Sequence, residues 1–236
     1  MPVLDRIKGP IFELFDLMTG NGTVQETVIA FFAVAAIIFI VFPIRECARG
    51  YMAKYLGDDT GEREGRLTLN PLSHIDPMGA LCMCFCCIGW SRTMPINLNR
   101  CTKTKGRTAL FLTSLAGPVA NILMSYIFVI VSKIIFMNIT STVMFYVWYG
   151  VYYVAVINVY LAVLNLLPIP PFDGCKILCS FLPRNGVLFF ERYGQIIYMA
   201  FFFALILGLL DGPLDFLSDG VMWLLDKASF FLGTMM

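Results

Sequence analysis

The chain has 236 residues, 58% of them hydrophobic and 14% charged, with a mean hydropathy of +0.77. A water-soluble domain of this length needs more charge to cover its surface, and the apolar residues here run in long blocks, which is the membrane pattern. Seventeen basic against sixteen acidic residues leave no charge excess with which to hold nucleic acid.

The start, Met1 to Met18, mixes Asp5, Arg6, Lys8, Glu13 and Asp16 with apolar residues. It lacks the uninterrupted apolar core of a cleavable signal peptide, and predicts a retained amphipathic helix in the membrane interface, broken at Gly9-Pro10. Residues 1–27 are thus an N-terminal interfacial segment. A crossing helix needs about 20 apolar residues. Four segments come near that length: Val28 to Ile44, continuing as helix towards Leu56; Ala109 to Met137; Val143 to Leu167; and Ile196 to Leu210. The tail Leu214–Met236 carries Asp215, Asp219, Asp226 and Lys227 among bulky apolar residues, and reads as interfacial, although a fifth span is the alternative. The fold class is an all-α membrane protein, a polytopic bundle of about four transmembrane helices. Its core spans residues 28–182, and residues 183–236 hold a C-terminal transmembrane helix and tail.

Basic residues orient such a bundle. The two larger connections, after the first and third spans, hold eleven of them, whereas Arg6, Lys8, Lys133 and Lys227 are the four on the other side. The larger connections are therefore expected in the cytoplasm. The first and third spans then both run inward, bringing Arg45-Glu46-Cys47-Ala48-Arg49 to the depth of Asn165 through Gly174. Arg45 and Arg49 share a helix face at four-residue spacing, with Glu46 alongside. Prolines 168, 170 and 171 forbid a regular helix before Asp173, and irregular backbone at membrane depth survives only packed within protein or beside a wet cavity. Asp173 is thus expected to face inward.

At these residues the sequence resembles the site-2 protease family of intramembrane zinc metalloproteases. That family carries His-Glu-x-x-His on its first core helix and an aspartate within Asn-x-x-Pro-x-x-Pro-x-Asp-Gly later. Asn165, Pro168, Pro171, Asp173 and Gly174 match the second motif. Gly57-Asp58-Asp59-Thr60, Gly65 to Pro71, His74-Ile75-Asp76-Pro77-Met78-Gly79, Gly89-Trp90, Pro95-Ile96-Asn97 and Ala116 to Asn121 are also family-like, so the likeness covers Val28 to Leu182. The resemblance implies an active-site region towards the cytoplasm, membrane-protein substrates, a zinc cofactor with Asp173 as a ligand, and Glu46 as general base.

The departure falls on the chemistry, because Arg45 and Arg49 stand at the two histidine positions. Zinc binding needs a neutral imidazole lone pair, whereas guanidinium has five donors and no acceptor. His74, the single histidine, lies in a loop motif and cannot replace both. No zinc, no peptidase activity through the family mechanism and a silent Glu46 are the expectation. Arg45 and Arg49 are expected to clamp Asp173 and Glu46 electrostatically in the metal's place. An active metalloendopeptidase, with the arginines an altered feature of the sequence, is one alternative.

Gly65–Asn70 and Leu81–Asn97 have strand-like patterns, predicting a small β-hairpin or sheet element near the cytoplasmic side. In the resembled family such an edge can pair with an unwound substrate helix, so transmembrane segments of other proteins are the expected partners beside the lipid bilayer; a purely structural hairpin is the alternative. On an extended segment Cys82, Cys84 and Cys86 would share one face, which leaves a soft-metal-binding membrane protein as another reading; apolar packing is the plainer one. Asn121 and Asn165 are candidates to bond a substrate backbone, or to bond between helices.

Overall fold

The computed structural model describes residues 10–87 and 89–230. Helix α1 (Pro10–Thr19) starts at the proline that the sequence marks as a break, and the charged residues Asp5, Arg6 and Lys8 lie outside the described residues. Helix α2 (Val24–Ala36) opens on a capping box: Thr23 Oγ1 accepts from Glu26 N at 3.3 Å, while Glu26 Oε2 accepts from Thr23 N at 2.9 Å. The helix continues without a break through a π-helical turn, Ile37–Val41, into α3 (Phe42–Tyr55). Pro43 can donate no hydrogen bond and its ring crowds the preceding turn, which the wider π-turn accommodates. The charged residues of α3 follow directly.

Among the described residues four helices are long and apolar enough to cross a membrane: Val24–Tyr55, Gly106–Phe136 (α6), Thr142–Leu166 (α7) and Arg184–Leu205, the last within α9 (Arg184–Ile206). The first three coincide with the expected spans. The fourth begins twelve residues before the predicted Ile196, because Pro183 sets a helix start and Arg184 and Glu191 sit on an exposed surface that tolerates charge. Helix α7 is the centre of the bundle and buries almost every residue from Tyr153 to Leu164. Against it α6 packs with Asn158 Nδ2 donating to the Asn121 carbonyl at 3.0 Å, and α6 buries the small residues Gly117, Ala120, Ser125 and Ser132. Phe31, Phe32, Leu123, Ile127 and Ile134 point outward, as suits lipid.

The connection between α3 and α6 corrects the expected β-hairpin. Among the described residues there is no sheet, only an isolated antiparallel bridge between Ile75 and Ser91. A four-residue helix α4 (Thr60–Arg63) precedes irregular chain, and Pro77–Cys86 forms helix α5. Asp76 explains it: its side chain accepts from Gly79 N at 2.8 Å, and Pro77 occupies the first turn, where no N–H is needed. A Cβ on Gly79 would lie 2.0 Å from the Trp90 carbonyl oxygen, so the glycine lets the returning chain press against α5. The helix also undoes the cysteine strip. Residues two apart on a helix do not face each other, so Cys82 and Cys84 diverge and the one-face strip expected of an extended segment does not form.

Helix α8 (Asp173–Phe181) follows the proline segment, which contains a cis Pro170–Pro171 bond. The tail forms α10 (Asp211–Ala228), which buries Leu214, Ser218, Met222, Leu225 and Asp226 and leaves Phe216 and Trp223 exposed. Its buried acid is matched: Lys133 Nζ, on α6, lies 2.8 Å from Asp226 Oδ1 and donates to the Asp226 carbonyl at 3.0 Å.

Candidate functional site

Helix α3 carries Arg45, Glu46 and Arg49 inward, with exposures of 6%, 0% and 5%. Two features admit such bulky charge. Gly117 on α6 presents no side chain, and a Cβ there would sit 3.1 Å from Arg49 Cδ. Gly174 lets α8 rise against the end of α7, where a Cβ would lie 2.1 Å from the Leu166 carbonyl oxygen. Asp173, 2% exposed, is thereby brought to the arginines.

The carboxylates and guanidiniums interlock. Arg45 Nη2 donates to Asp173 Oδ2 at 2.6 Å and to Asn165 Oδ1 at 2.8 Å, while its Nη1 donates to Glu46 Oε1 at 3.0 Å. Arg49 Nη1 donates to Glu46 Oε2 at 3.3 Å, and its Nη2 stands 3.5 Å from Asp173 Oδ1. Ser91 Oγ donates to Glu46 Oε1 at 2.9 Å and the Met94 N–H to Oε2 at 2.7 Å. Each Glu46 oxygen thus accepts two hydrogen bonds. Lys176, one turn along α8, donates to Asp173 Oδ1 at 3.0 Å. Burial alone would raise the Asp173 carboxyl, but Arg45, Arg49 and Lys176 outweigh it and hold the group below the usual aspartate range.

The structure brings together Arg45, Glu46, Arg49, Asp173 and Asn165. Asn165 bonds between helices and also donates to the Leu161 carbonyl on its own helix at 2.7 Å. Asn121 lines the cavity beside the charge cluster but makes no hydrogen bond to it. Its backbone carbonyl accepts from Asn158 Nδ2 at 3.0 Å, and its side-chain Oδ1 is buried without a hydrogen-bond partner. His74 is remote from the cluster in its bonding, with Nε2 2.7 Å from the Thr68 carbonyl oxygen. Among the described residues no group of three or more His, Cys, Asp or Glu is placed to hold a metal ion.

Ser91, Met94 and Lys176 are members that sequence reasoning missed. Lys176 had a signal, since i and i+3 on a helix are neighbours of Asp173. Ser91 adjoins the Gly89-Trp90 motif, whereas a backbone N–H such as that of Met94 leaves no trace in sequence. Beside the cluster lies a cavity of about 310 Å³. Arg45, Arg49, Asp173 and Lys176 form its charged end, and Trp90, Leu161, Leu164, Phe201, Phe202 and Leu205 form apolar wall.

The bundle thus brings a glutamate and an aspartate from separate helices together through the arginines, with Asp173, Arg45 and Arg49 lining one internal cavity. Residues 131–208 match the model of Peptidase family M50. The chain is 34% identical over 177 residues to a Bacillus subtilis protein named "Putative zinc metalloprotease YwhC", covering 70% of this chain and 77% of the relative. No solved structure matches significantly. The chain belongs to Peptidase family M50, the site-2 protease family.

Proposed function

We propose that this chain is a catalytically silent member of the site-2 protease family, an integral membrane protein that binds apolar segments rather than cutting them. The observation that carries the reading is the position of Arg45 and Arg49, each between Glu46 and Asp173. These residues do not fit the family's zinc. Guanidinium offers no lone pair and stays charged, so it repels a dication where an imidazole would bind one. Of the acidic groups, Asp173 is committed to three cations, and Glu46 accepts four hydrogen bonds. A general base must reach the proton that it abstracts. Glu46 is fully buried and saturated with donors, so it has no free oxygen for water.

The arginine clamp does mechanically what a shared metal would do: it draws α3 and the start of α8 together across the bundle. What remains is a cavity of about 310 Å³ with apolar walls, which admits side chains of an apolar membrane segment but not a whole helix. The loss of the expected sheet edge removes strand addition as the mode of capture, leaving side-chain packing within the bundle.

The test is a cleavage assay. The purified chain in detergent, with added zinc, is incubated with a panel of transmembrane peptides. The reading expects no product above that of the Glu46→Gln variant. Zinc-dependent cleavage that Glu46→Gln abolishes would contradict it.

A further inference from the structure

The charge cluster holds one cation too many. Arg45, Arg49 and Lys176 face two carboxylates, Glu46 and Asp173, in a site where Arg45 and Arg49 are almost fully buried. The excess is not evenly spread. Arg45 donates to Glu46, Ser91, Asn165 and Asp173. Arg49 also has five N–H donors, yet makes one hydrogen bond, the 3.3 Å contact to Glu46, and its Nε is buried with no partner. Lys176, 38% exposed, uses one contact, to Asp173. Arg49 faces Asp173 as well, at 3.5 Å, but buried N–H donors left unused are costly unless a further acceptor completes them.

Both Arg49 and Lys176 line the 310 Å³ cavity, whose remaining surface is largely apolar. Its outer wall is α9, which buries nothing from Arg184 to Ala200, meets the core at Phe201 and Leu205, and turns Met199 and Phe203 outward. One helix therefore separates the cavity from lipid. The volume is at the small end for a ligand site, too small for a two-chain phospholipid but suited to a single chain.

We propose that this cavity binds a long-chain carboxylate, a fatty acid drawn from the bilayer, with its headgroup on Arg49 and Lys176 and its chain against Trp90, Phe201 and Phe202. One carboxylate neutralises the surplus charge and accepts from donors that the protein leaves unused. The inference rests on the silent reading above, since two imidazoles and a zinc ion would replace the arginines' donor surface altogether.

The experiment uses the purified full chain in detergent, titrated with radiolabelled palmitate, with hexadecanol and with an apolar peptide bearing a free C-terminal carboxylate; bound zinc is measured on the same sample. Palmitate is expected to bind near one per chain, about tenfold or more tighter than hexadecanol. Arg49→Gln should erase the preference for the acid over the alcohol. Lys176→Gln, at a half-exposed site with a single contact, should fold normally and reduce that preference several-fold, so it decides the matter if Arg49→Gln does not fold. Equal affinity for acid and alcohol, an unchanged preference in Lys176→Gln, or binding of the peptide alone would each overturn the proposal. Stoichiometric zinc would overturn the silent reading itself, whereas a zinc-free chain without acid preference would overturn only the fatty-acid inference.

Discussion

Arg45 Nη2 and Asp173 Oδ2 lie 2.6 Å apart although 128 positions separate them in the chain. The pair joins the first long helix to the segment that follows the third, and Arg49 and Lys176 reinforce it. Removing one partner of a buried pair leaves an uncompensated charge, which costs on the order of 3–5 kcal/mol. Asp173→Asn should therefore lower the melting temperature in detergent markedly. Lys54→Gln, which breaks an exposed pair with Glu62, should leave it unchanged. Equal effects of the two variants would remove the clamp from the account.

The same pair sets a pH dependence. Because its cationic neighbours hold Asp173 below the usual range, folding favours the ionised form. That stabilisation is complete above the ordinary aspartate value of 3.8 and is lost as pH falls through the lower folded value. The gap in melting temperature between the unaltered chain and Asp173→Asn should hold steady from neutral pH downward and narrow only below about pH 4. A gap already closing near pH 6 would point to a different titrating group.

Gly174 is required by close approach rather than by backbone conformation, since a Cβ would fall 2.1 Å from the Leu166 carbonyl oxygen and 2.4 Å from that of Leu167. Both neighbours are backbone and cannot swing aside. Gly174→Ala should push α8 away from α7 and cost at least as much as other overpacking changes, roughly 1–3 kcal/mol. Gly220→Ala, on α10 with open space around it, should be neutral or slightly stabilising. Thermal melts of the two variants distinguish contact from chain flexibility.

A second buried pair, Lys133 and Asp226, anchors α10 on α6. Lys133→Met alone should loosen α10, seen as faster proteolysis within residues 211–228, because it strands a buried carboxylate. Lys133→Met with Asp226→Leu should recover most of the protection, since an apolar pair of similar volume is often no worse than the ionic one. Failure of the double variant to recover would mean that the contacts of Lys133 with the Asp226 and Ser229 carbonyls carry the anchoring instead.

The spans and the meeting of Arg45, Glu46, Arg49 and Asp173 were legible in sequence, for distinct reasons. Long apolar blocks announce membrane helices by composition alone, and Asp173 follows prolines that forbid helix, so its inward position follows from backbone chemistry. The misreadings are equally specific. Leu81–Asn97 looks strand-like by apolar content, yet its start lies within helix α5 (Pro77–Cys86), and the deciding signal is the Asp76-Pro77 helix start. The fourth span was placed too late because Arg184 and Glu191 masked a helix whose surface there is exposed. Lys133 enters the sequence reading only as one of four basic residues on the far side, and its partner Asp226 lies 93 residues away, a pairing that no local pattern encodes. The hydrogen bond from Met94 N to Glu46 is likewise a product of tertiary packing.

The central claim is that Arg45 and Arg49 leave this site without a metal-binding donor set, and metal content tests it most directly. Zinc per chain should be measured by mass spectrometry on the purified unaltered protein and on the Arg45→His/Arg49→His double variant. The account predicts negligible zinc in the unaltered chain and a gain towards one ion per chain in the double variant, lost again on Asp173→Asn. One tightly held zinc ion in the unaltered chain, released by Asp173→Asn, would contradict it.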